Sequence, residues 1–211
     1  MRAVIIANGS IDYGHNFRDT ILHHDLIICA DGGAKYLKKI NVTPHIIVGD
    51  LDSIDQSSKE YYLQKGVELY QFPTKKNHTD TDLAVQYAIS KGCKEITFLG
   101  AIGSRMDHTL ANIMLLIPLV QTGIKARILN ETNDITVINQ DLEVQGDDKT
   151  YMSLIPITQT VEGVTLEGFE YPLVDATLRM GDTIGISNQF QNKQAFIRIK
   201  KGLLLVIKAI E

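Results

Sequence analysis

The sequence predicts an α/β domain built on a mainly parallel sheet flanked by helices, followed by a smaller all-β sandwich domain. Two observations carry that expectation. Over residues 1–130, short apolar runs alternate with amphipathic stretches of helical period, the pattern of βαβ units. Over residues 131–211 the amphipathic stretches give way to short β-rich runs that follow one another between Gly, Asp and Asn.

Taken in order, strands are expected at 3–7, 26–30, 46–48, 67–72 and 95–99, each too short for a helix and rich in β-branched, Leu or aromatic residues. Helices are expected at 34–40, 57–65, 79–90 and 107–121. Thr79 followed three residues later by Asp82 reads as a capping box opening the third of these. Ser104 with Asp107 reads as another, ahead of the apolar positions Leu110, Ile113, Met114 and Ile117. A strand at 125–129 completes a Rossmann-like sheet with right-handed connections. In the second domain, strands are expected at 135–139, 142–145, 151–157, 163–166, 183–187, 195–199 and 203–207.

Composition narrows the function. Of 211 residues 44% are hydrophobic, enough for a packed core, and a net charge of -4 supplies no basic field of the kind that holds nucleic acid. Cys29, in an expected strand, and Cys93, in an expected loop, lack metal-ligand spacing and fit a reduced, cytoplasmic protein. The opening apolar run is too short for a signal segment, and the longest one, 113–120, is interrupted by Pro118. Neither a targeting segment nor a membrane span is therefore expected.

In a parallel sheet the C-terminal ends of the strands share one edge, where open α/β sheets bind ligands. The residues following the expected strands are Asn8-Gly9, Asp31-Gly32-Gly33, Gly49-Asp50-Leu51-Asp52, Pro73-Thr74-Lys75-Lys76 and the segment from Gly100 to Arg105. Asp50 and Asp52 stand one residue apart directly after a buried run. Carboxylates there repel a bare phosphate but hold it once Mg²⁺ lies between, so the pair points to metal-dependent chemistry on a phosphate ester or anhydride. An Asx turn, or a cap for the helix near Ser57, is the competing explanation. Asp80 is left over by the capping box and is as well explained by the helix dipole as by a metal. Gly32-Gly33 permits close backbone approach and exposes helix amides to an anion, while Lys76 and Arg105 supply positive charge, Arg as a bidentate fork. Neither the P-loop pattern nor Gly-x-Gly-x-x-Gly occurs, which excludes a P-loop nucleoside triphosphatase and a standard dinucleotide binder. Asp107 is a candidate acceptor for a polar substrate; His108 is equally a simple first-turn residue.

Five ordered segments resemble the thiamin pyrophosphokinase family over nearly the whole chain. They are Ala30-Asp31-Gly32-Gly33-Ala34, Gly49-Asp50-Leu51-Asp52-Ser53, Lys76-Asn77-His78-Thr79-Asp80, Gly103-Ser104-Arg105-Met106-Asp107-His108 and Gly185-Ile186-Ser187-Asn188-Gln189-Phe190. The resemblance implies transfer of a diphosphoryl group from ATP to thiamin, giving thiamin diphosphate and AMP, by a homodimer whose active sites are shared between subunits. It implies an ATP- and Mg-binding catalytic domain over 1–130 and a thiamin-binding, dimerising β sandwich over 131–211. By position, Asp50, Asp52 and Asp80 are the implied Mg²⁺ ligands, and these with Arg105 the catalytic set. Asn8, Asp31, Gly32, Gly33, Lys76 and Arg105 are implied on the nucleotide. Asp107, His108, Ser187 and Asn188 are implied on thiamin, the last two from the neighbouring subunit; from the residues alone Ser187-Asn188 reads as a plain turn. Asn77, Ser104 and Gln189 stand where many members have Asp, Gly and Glu. The chain has no Trp, leaving Phe190 and Tyr171 as candidates to stack on the thiamin pyrimidine. Two rivals share the metal site: a Mg-dependent kinase or pyrophosphokinase acting on another small alcohol, and a non-catalytic nucleotide- or thiamin-binding protein.

Overall fold

The computed structural model describes residues 1–11, 17–71 and 78–210. They form a mixed α/β fold in two compact units. Unit 1 comprises Met1–Leu115 and Gly123–Glu131; unit 2 comprises Leu116–Thr122 and Thr132–Glu211.

Unit 1 is built on strands β1 (Arg2–Ile6), β2 (Leu26–Ala30), β3 (Ile46–Gly49), β4 (Glu68–Gln71), β5 (Glu95–Leu99) and β6 (Lys125–Leu129). They lie in the order β4-β3-β2-β1-β5-β6, every pair parallel. β2 and β3 are buried along their whole length, as central parallel strands covered on both faces are, whereas the edge strand β4 is mostly exposed. The helices are α1 (Phe17–Leu22), α2 (Ala34–Lys39), α3 (Gln56–Gln64), α4 (Asp80–Ser90) and α5 (Met106–Met114). Val4, Ile6, Ile27, Cys29 and Ile47 pack with Leu37 of α2 and Tyr62 of α3, and the buried Tyr62 hydroxyl donates to the Ala34 carbonyl at 2.8 Å. Strand order reverses at β1, with β2 to β4 on one side and β5 and β6 on the other, which puts the topological switch point of the sheet between the ends of β1 and β5.

Several expectations change. Helix α1 was not legible, because its six residues bury only Ile21 and show no period. The single helix expected at 107–121 is two, α5 and α6 (Leu116–Gln121): Pro118 has no N–H for the carbonyl four residues back, and its ring crowds that carbonyl. Cys93 lies in a loop as expected and Cys29 in β2; both are buried free thiols. Among the described residues no helix is long and apolar enough to cross a membrane.

Unit 2 holds α6 and strands β7 (Asn133–Ile138), β8 (Leu142–Gln145), β9 (Thr150–Pro156), β10 (Thr160–Glu167), β11 (Leu173–Arg179), β12 (Asn188–Gln189), β13 (Gln194–Arg198) and β14 (Leu204–Ile210). Its antiparallel strands run β12-β9-β14-β7 and β11-β10-β13-β8. β9 alternates buried and half-buried residues, and Met152, Leu154, Leu204 and Val206 of the first group share a core with Val164, Leu166, Leu178 and Ile197 of the second. That is a β-sandwich-like arrangement. β11 escaped the sequence reading because Asp175, at φ +48°, breaks its alternation. The strand expected at 183–187 is instead a turn, closed by Ile186 N donating to the Thr183 carbonyl at 3.1 Å and ended by Ser187 at φ +54°. The alternating Ile184 and Ile186 that looked like a strand are both exposed.

Candidate active site

β2 and β3 pair in parallel with Ala30 beside Val48, so the loops that leave them are neighbours. Asp31 follows β2 in a 3-10 turn, Asp31–Gly33, at φ +39° and only 4% exposed. Asp50 and Asp52 follow β3, and Leu51 between them adopts φ +63°. That conformation costs a residue with a side chain about 1 kcal/mol. It is offset by seating Leu51, together with Ile54, in the unit 1 core. Ser53 N donates to Asp31 Oδ2 at 3.2 Å, Asp52 N to Asp50 Oδ1 at 3.3 Å, and Gln71 Nε2 to the Asp50 carbonyl at 3.1 Å. Helix α3 is capped by Asp55, whose side chain accepts from Ser58 N at 2.9 Å, so Asp50 and Asp52 are not its caps; the Asx turn does form and engages one oxygen of Asp50.

One carboxylate oxygen from each of Asp31, Asp50 and Asp52 lies within 4.8 Å of the other two. Asp31 Oδ1 is buried and has no hydrogen-bond partner among the described residues. Burial raises the Asp31 pKa from its ordinary value, the Ser53 hydrogen bonds oppose the rise, and the Asp80 and Asp50 charges add to it. Asp80 opens α4, whose cap is Thr79: Thr79 Oγ1 accepts from Asp82 N at 3.2 Å. A Cβ on Gly49 would meet Asp31 Cβ at 2.8 Å and Asp80 Oδ1 at 3.2 Å, so these two carboxyl groups flank the glycine. Among the described residues Asp31, expected on the nucleotide, joins Asp50 and Asp52 within the 4.8 Å group, and Asp80 stands outside that group.

The loops after β1 and β5 are stitched together. Gly9 N donates to the Gly100 carbonyl at 2.6 Å and Ser10 N to the Ile102 carbonyl at 2.7 Å; a Cβ on Gly9 would lie 2.4 Å from both carbonyl oxygens. Thr109 and Asn112, buried on α5, clamp the second loop. Thr109 Oγ1 accepts from Gly103 N at 3.1 Å and Asn112 Nδ2 donates to the Ala101 carbonyl at 2.8 Å. Sequence reading missed this pair because α5 buries only these two polar residues, while the apolar Leu110 and Met114 that marked its expected inner face are exposed. The Gly32-Gly33 pair packs protein against protein: a Cβ at 32 would strike Asn8 Nδ2 and one at 33 the Ile6 carbonyl, each at 2.4 Å.

Arg105 is the N-cap residue of α5 but makes no side-chain cap bond, so the capping box expected from Ser104 and Asp107 does not form. Its guanidinium forks onto Asp107 instead, Nε to Oδ1 at 3.2 Å and Nη2 to Oδ2 at 2.5 Å, both side chains exposed. That pairing holds the Asp107 carboxyl at a pKa of about 2. His108 is exposed beside them. Lys76, with Asn77, lies outside the described residues.

In unit 2 the Asn188 amide is buried and fully engaged with backbone. Its Oδ1 accepts from Tyr171 N and Gln189 N, both at 3.0 Å, and Nδ2 donates to the Tyr171 carbonyl at 2.8 Å. Ser187 is exposed, its N–H donating to Ser153 Oγ at 3.1 Å. Phe190 packs on Phe169 in the unit 2 core, ring centroids 5.0 Å apart, while Tyr171 is 66% exposed. Of the two stacking candidates, Tyr171 is the more exposed and Phe190 is half-buried.

A parallel sheet carrying clustered carboxylates beyond two adjacent strands, with Arg105 on the loop after β5 and a β-sandwich-like unit in the same chain, is the arrangement of a two-part enzyme suited to phosphate chemistry. The family model for the thiamin pyrophosphokinase catalytic domain matches residues 17–128, and that for the thiamin pyrophosphokinase vitamin B1 binding domain matches residues 136–204. Thiamine pyrophosphokinase of Bacillus subtilis is 32% identical over 191 residues, 89% of each chain. A crystal structure of thiamine pyrophosphokinase from Bacillus subtilis superposes with a TM-score of 0.91 at 30% identity, covering 100% of both chains. A thiamin pyrophosphokinase from Geobacillus thermodenitrificans gives 0.87 at 25% identity, covering 100% of this chain and 98% of that one. The chain belongs to the thiamin pyrophosphokinase family.

Proposed function

We infer that this enzyme transfers a diphosphoryl group from ATP to the hydroxyl of thiamin, giving thiamin diphosphate and AMP. The observation that carries the reading is the match to both thiamin pyrophosphokinase domain families, one over each part of the chain. A kinase for another small alcohol would have no need of the second.

The clustered residues fit Mg²⁺. A hard cation binds oxygen, and Asp31, Asp50 and Asp52 each offer one carboxylate oxygen within 4.8 Å of the others, a donor set of the kind Mg²⁺ takes. The buried, unpartnered Asp31 Oδ1 also calls for a counter-charge. Asp50, Asp52 and Asp80 would hold the ion, which when bound neutralises phosphate oxygens and orients them. Around it, the thiamin hydroxyl attacks the β-phosphorus in line; the new O–P bond forms as the bond to the α,β-bridging oxygen breaks and AMP leaves. A carboxylate of the cluster takes the hydroxyl proton. Arg105 exchanges Asp107 for phosphate and absorbs developing charge with Lys76, while Asn8, Gly32 and Gly33 shape the nucleotide side. Asp107, once released, and His108 meet thiamin. Ser187 contacts thiamin from the partner subunit, and Asn188 positions it by holding Tyr171, which stacks on the pyrimidine.

In this reading residues 1–130 form a Rossmann-like catalytic domain for ATP and Mg²⁺, and 131–211 a thiamin-binding, dimerising sandwich in a cytoplasmic homodimer. The exposed apolar Tyr171, Ile184 and Ile186 around Ser187 and the buried reduced cysteines support it. Asp52→Asn tests the site: turnover should be lost with the melting temperature preserved, and wild-type turnover would refute the metal assignment.

A further inference from the structure

We propose that Asp31 is a direct ligand of the divalent cation and the fixed point of its site, not a nucleotide contact. The inference rests on the reading that a cation serves this cluster. Asp31 Oδ1 is the one buried side-chain polar atom without a hydrogen-bond partner among the described residues. A carboxylate oxygen taken out of water and given no donor is retained where a cation satisfies it. The other oxygen accepts from Ser53 N at 3.2 Å, which stops the carboxylate from rotating and ties it to the loop that carries Asp50 and Asp52.

Two further observations choose a cation over a nucleotide. Asp31 is 4% exposed, which leaves too little surface for a ribose hydroxyl or base edge. One of its oxygens shares a 4.8 Å group with one each from Asp50 and Asp52, a concentration of negative charge that repels phosphate directly. Asp31 and Asp80 pack directly against the glycine at 49, where a Cβ would press on Asp31 Cβ at 2.8 Å and Asp80 Oδ1 at 3.2 Å, so the two carboxyl groups meet there only because that Cβ is missing. Asp52 is exposed on its loop, so Asp31 is the rigid member around which the loop carboxylates close.

The test is Mn²⁺ titration of the nucleotide-free full chain, free Mn²⁺ being read by electron paramagnetic resonance, for wild type, Asp31→Asn and Asp52→Asn. Each protein is also melted with and without Mn²⁺, and ATP binding is measured with divalent cations chelated. Loss of an outer-shell partner weakens metal sites about 10- to 100-fold, so loss of a direct ligand should weaken Mn²⁺ at least about tenfold. Asp31→Asn is expected to show that loss, to keep the metal-free melting temperature, to lose the Mn²⁺-induced rise in melting temperature, and to bind chelator-treated ATP as wild type does. Unchanged Mn²⁺ affinity overturns the proposal, whether accompanied by a lower metal-free melting temperature, as for a purely structural Asp31, or by weaker metal-free ATP binding, as for a nucleotide contact. Should Asp31→Asn fail to fold, Asp31→Ser decides, with the same loss of Mn²⁺ expected and unchanged affinity overturning the proposal. Loss in Asp52→Asn but not in Asp31→Asn removes only the role of Asp31; a wild type that binds no Mn²⁺ removes the cation reading itself.

Discussion

Gly49→Ala probes the packing on which the carboxylate cluster depends. The new methyl carbon would start 2.8 Å from Asp31 Cβ and 3.2 Å from Asp80 Oδ1. Carbon atoms settle at about 3.5–4.0 Å, so Asp31 has to retreat by about 0.7 Å or more. Asp31 is tethered to Ser53, and its displacement drags the loop bearing Asp50 and Asp52. Overpacking of this kind costs about 1–3 kcal/mol. In a chain of this size that lowers the melting temperature by about 2–12 °C. Reacting groups misplaced by about 1 Å lose about 100-fold in rate, so kcat/KM for ATP should fall about 100-fold while the protein still folds. Gly66→Ala is the control. Gly66 sits at φ +73° with nothing within 4 Å of its would-be Cβ, so alanine there introduces only backbone strain, about 1 kcal/mol, far from the cluster. AMP formation at saturating thiamin and thermal melts of both variants are the assays. Gly49→Ala turning over within threefold of wild type, or Gly66→Ala losing as much activity, would refute the reasoning.

Three more expectations follow from the described contacts. His24 bonds the Thr20 carbonyl through Nδ1 at 2.7 Å and Thr97 Oγ1 through Nε2 at 3.0 Å, and burial lowers its pKa below 6.5. The neutral ring is then favoured in the fold, so its contribution to stability is complete above about pH 6.5 and fades as pH falls toward the folded value. The drop in melting temperature on acidification should be smaller in His24→Gln than in wild type, and an equal drop contradicts this. In Arg105→Gln the Asp107 carboxyl, held at about 2, should return toward its ordinary 3.8 in a carboxyl NMR titration; an unmoved Asp107 would mean the fork is not what holds it down. Tyr171→Ala should raise KM for thiamin and spare the melting temperature, whereas Phe190→Ala, which removes a half-buried ring packed on Phe169, should lower stability by less than about 3 kcal/mol, the cost of truncating a fully buried aromatic. A Phe190→Ala protein of wild-type stability with a raised thiamin KM would reverse the assignment of the stacking ring.

How much could be read from the chain follows from what is local. Strands β2 and β3 were legible because a fully covered parallel strand is an unbroken apolar run. Asp50 and Asp52 were visible as a pair because they are neighbours in sequence. The membership of Asp31 in their group was not, because it depends on β2 pairing with β3 and on a positive φ at Asp31 that no sequence period records. Helix α5 ends early on account of Pro118, a local signal that was available and underweighted. The turn at 183–187 imitated a strand through two exposed isoleucines, and β11 was hidden by one left-handed aspartate. The grip of Asn188 on Tyr171 joins residues 17 apart through a side chain, and the clamp of Thr109 and Asn112 on the preceding loop depends on which face of α5 turns inward. Such contacts are properties of tertiary packing, and a local pattern yields the residue types without the partners.

The central claim is the transfer of an intact diphosphoryl group to thiamin. The measurement that tests it most directly is product identification after incubating the enzyme with ATP, with and without thiamin, and again with divalent cations chelated. The account predicts AMP and thiamin diphosphate in equal amounts, dependent on thiamin and abolished by chelation. ADP with a monophosphorylated alcohol, or AMP released without thiamin diphosphate, would contradict it.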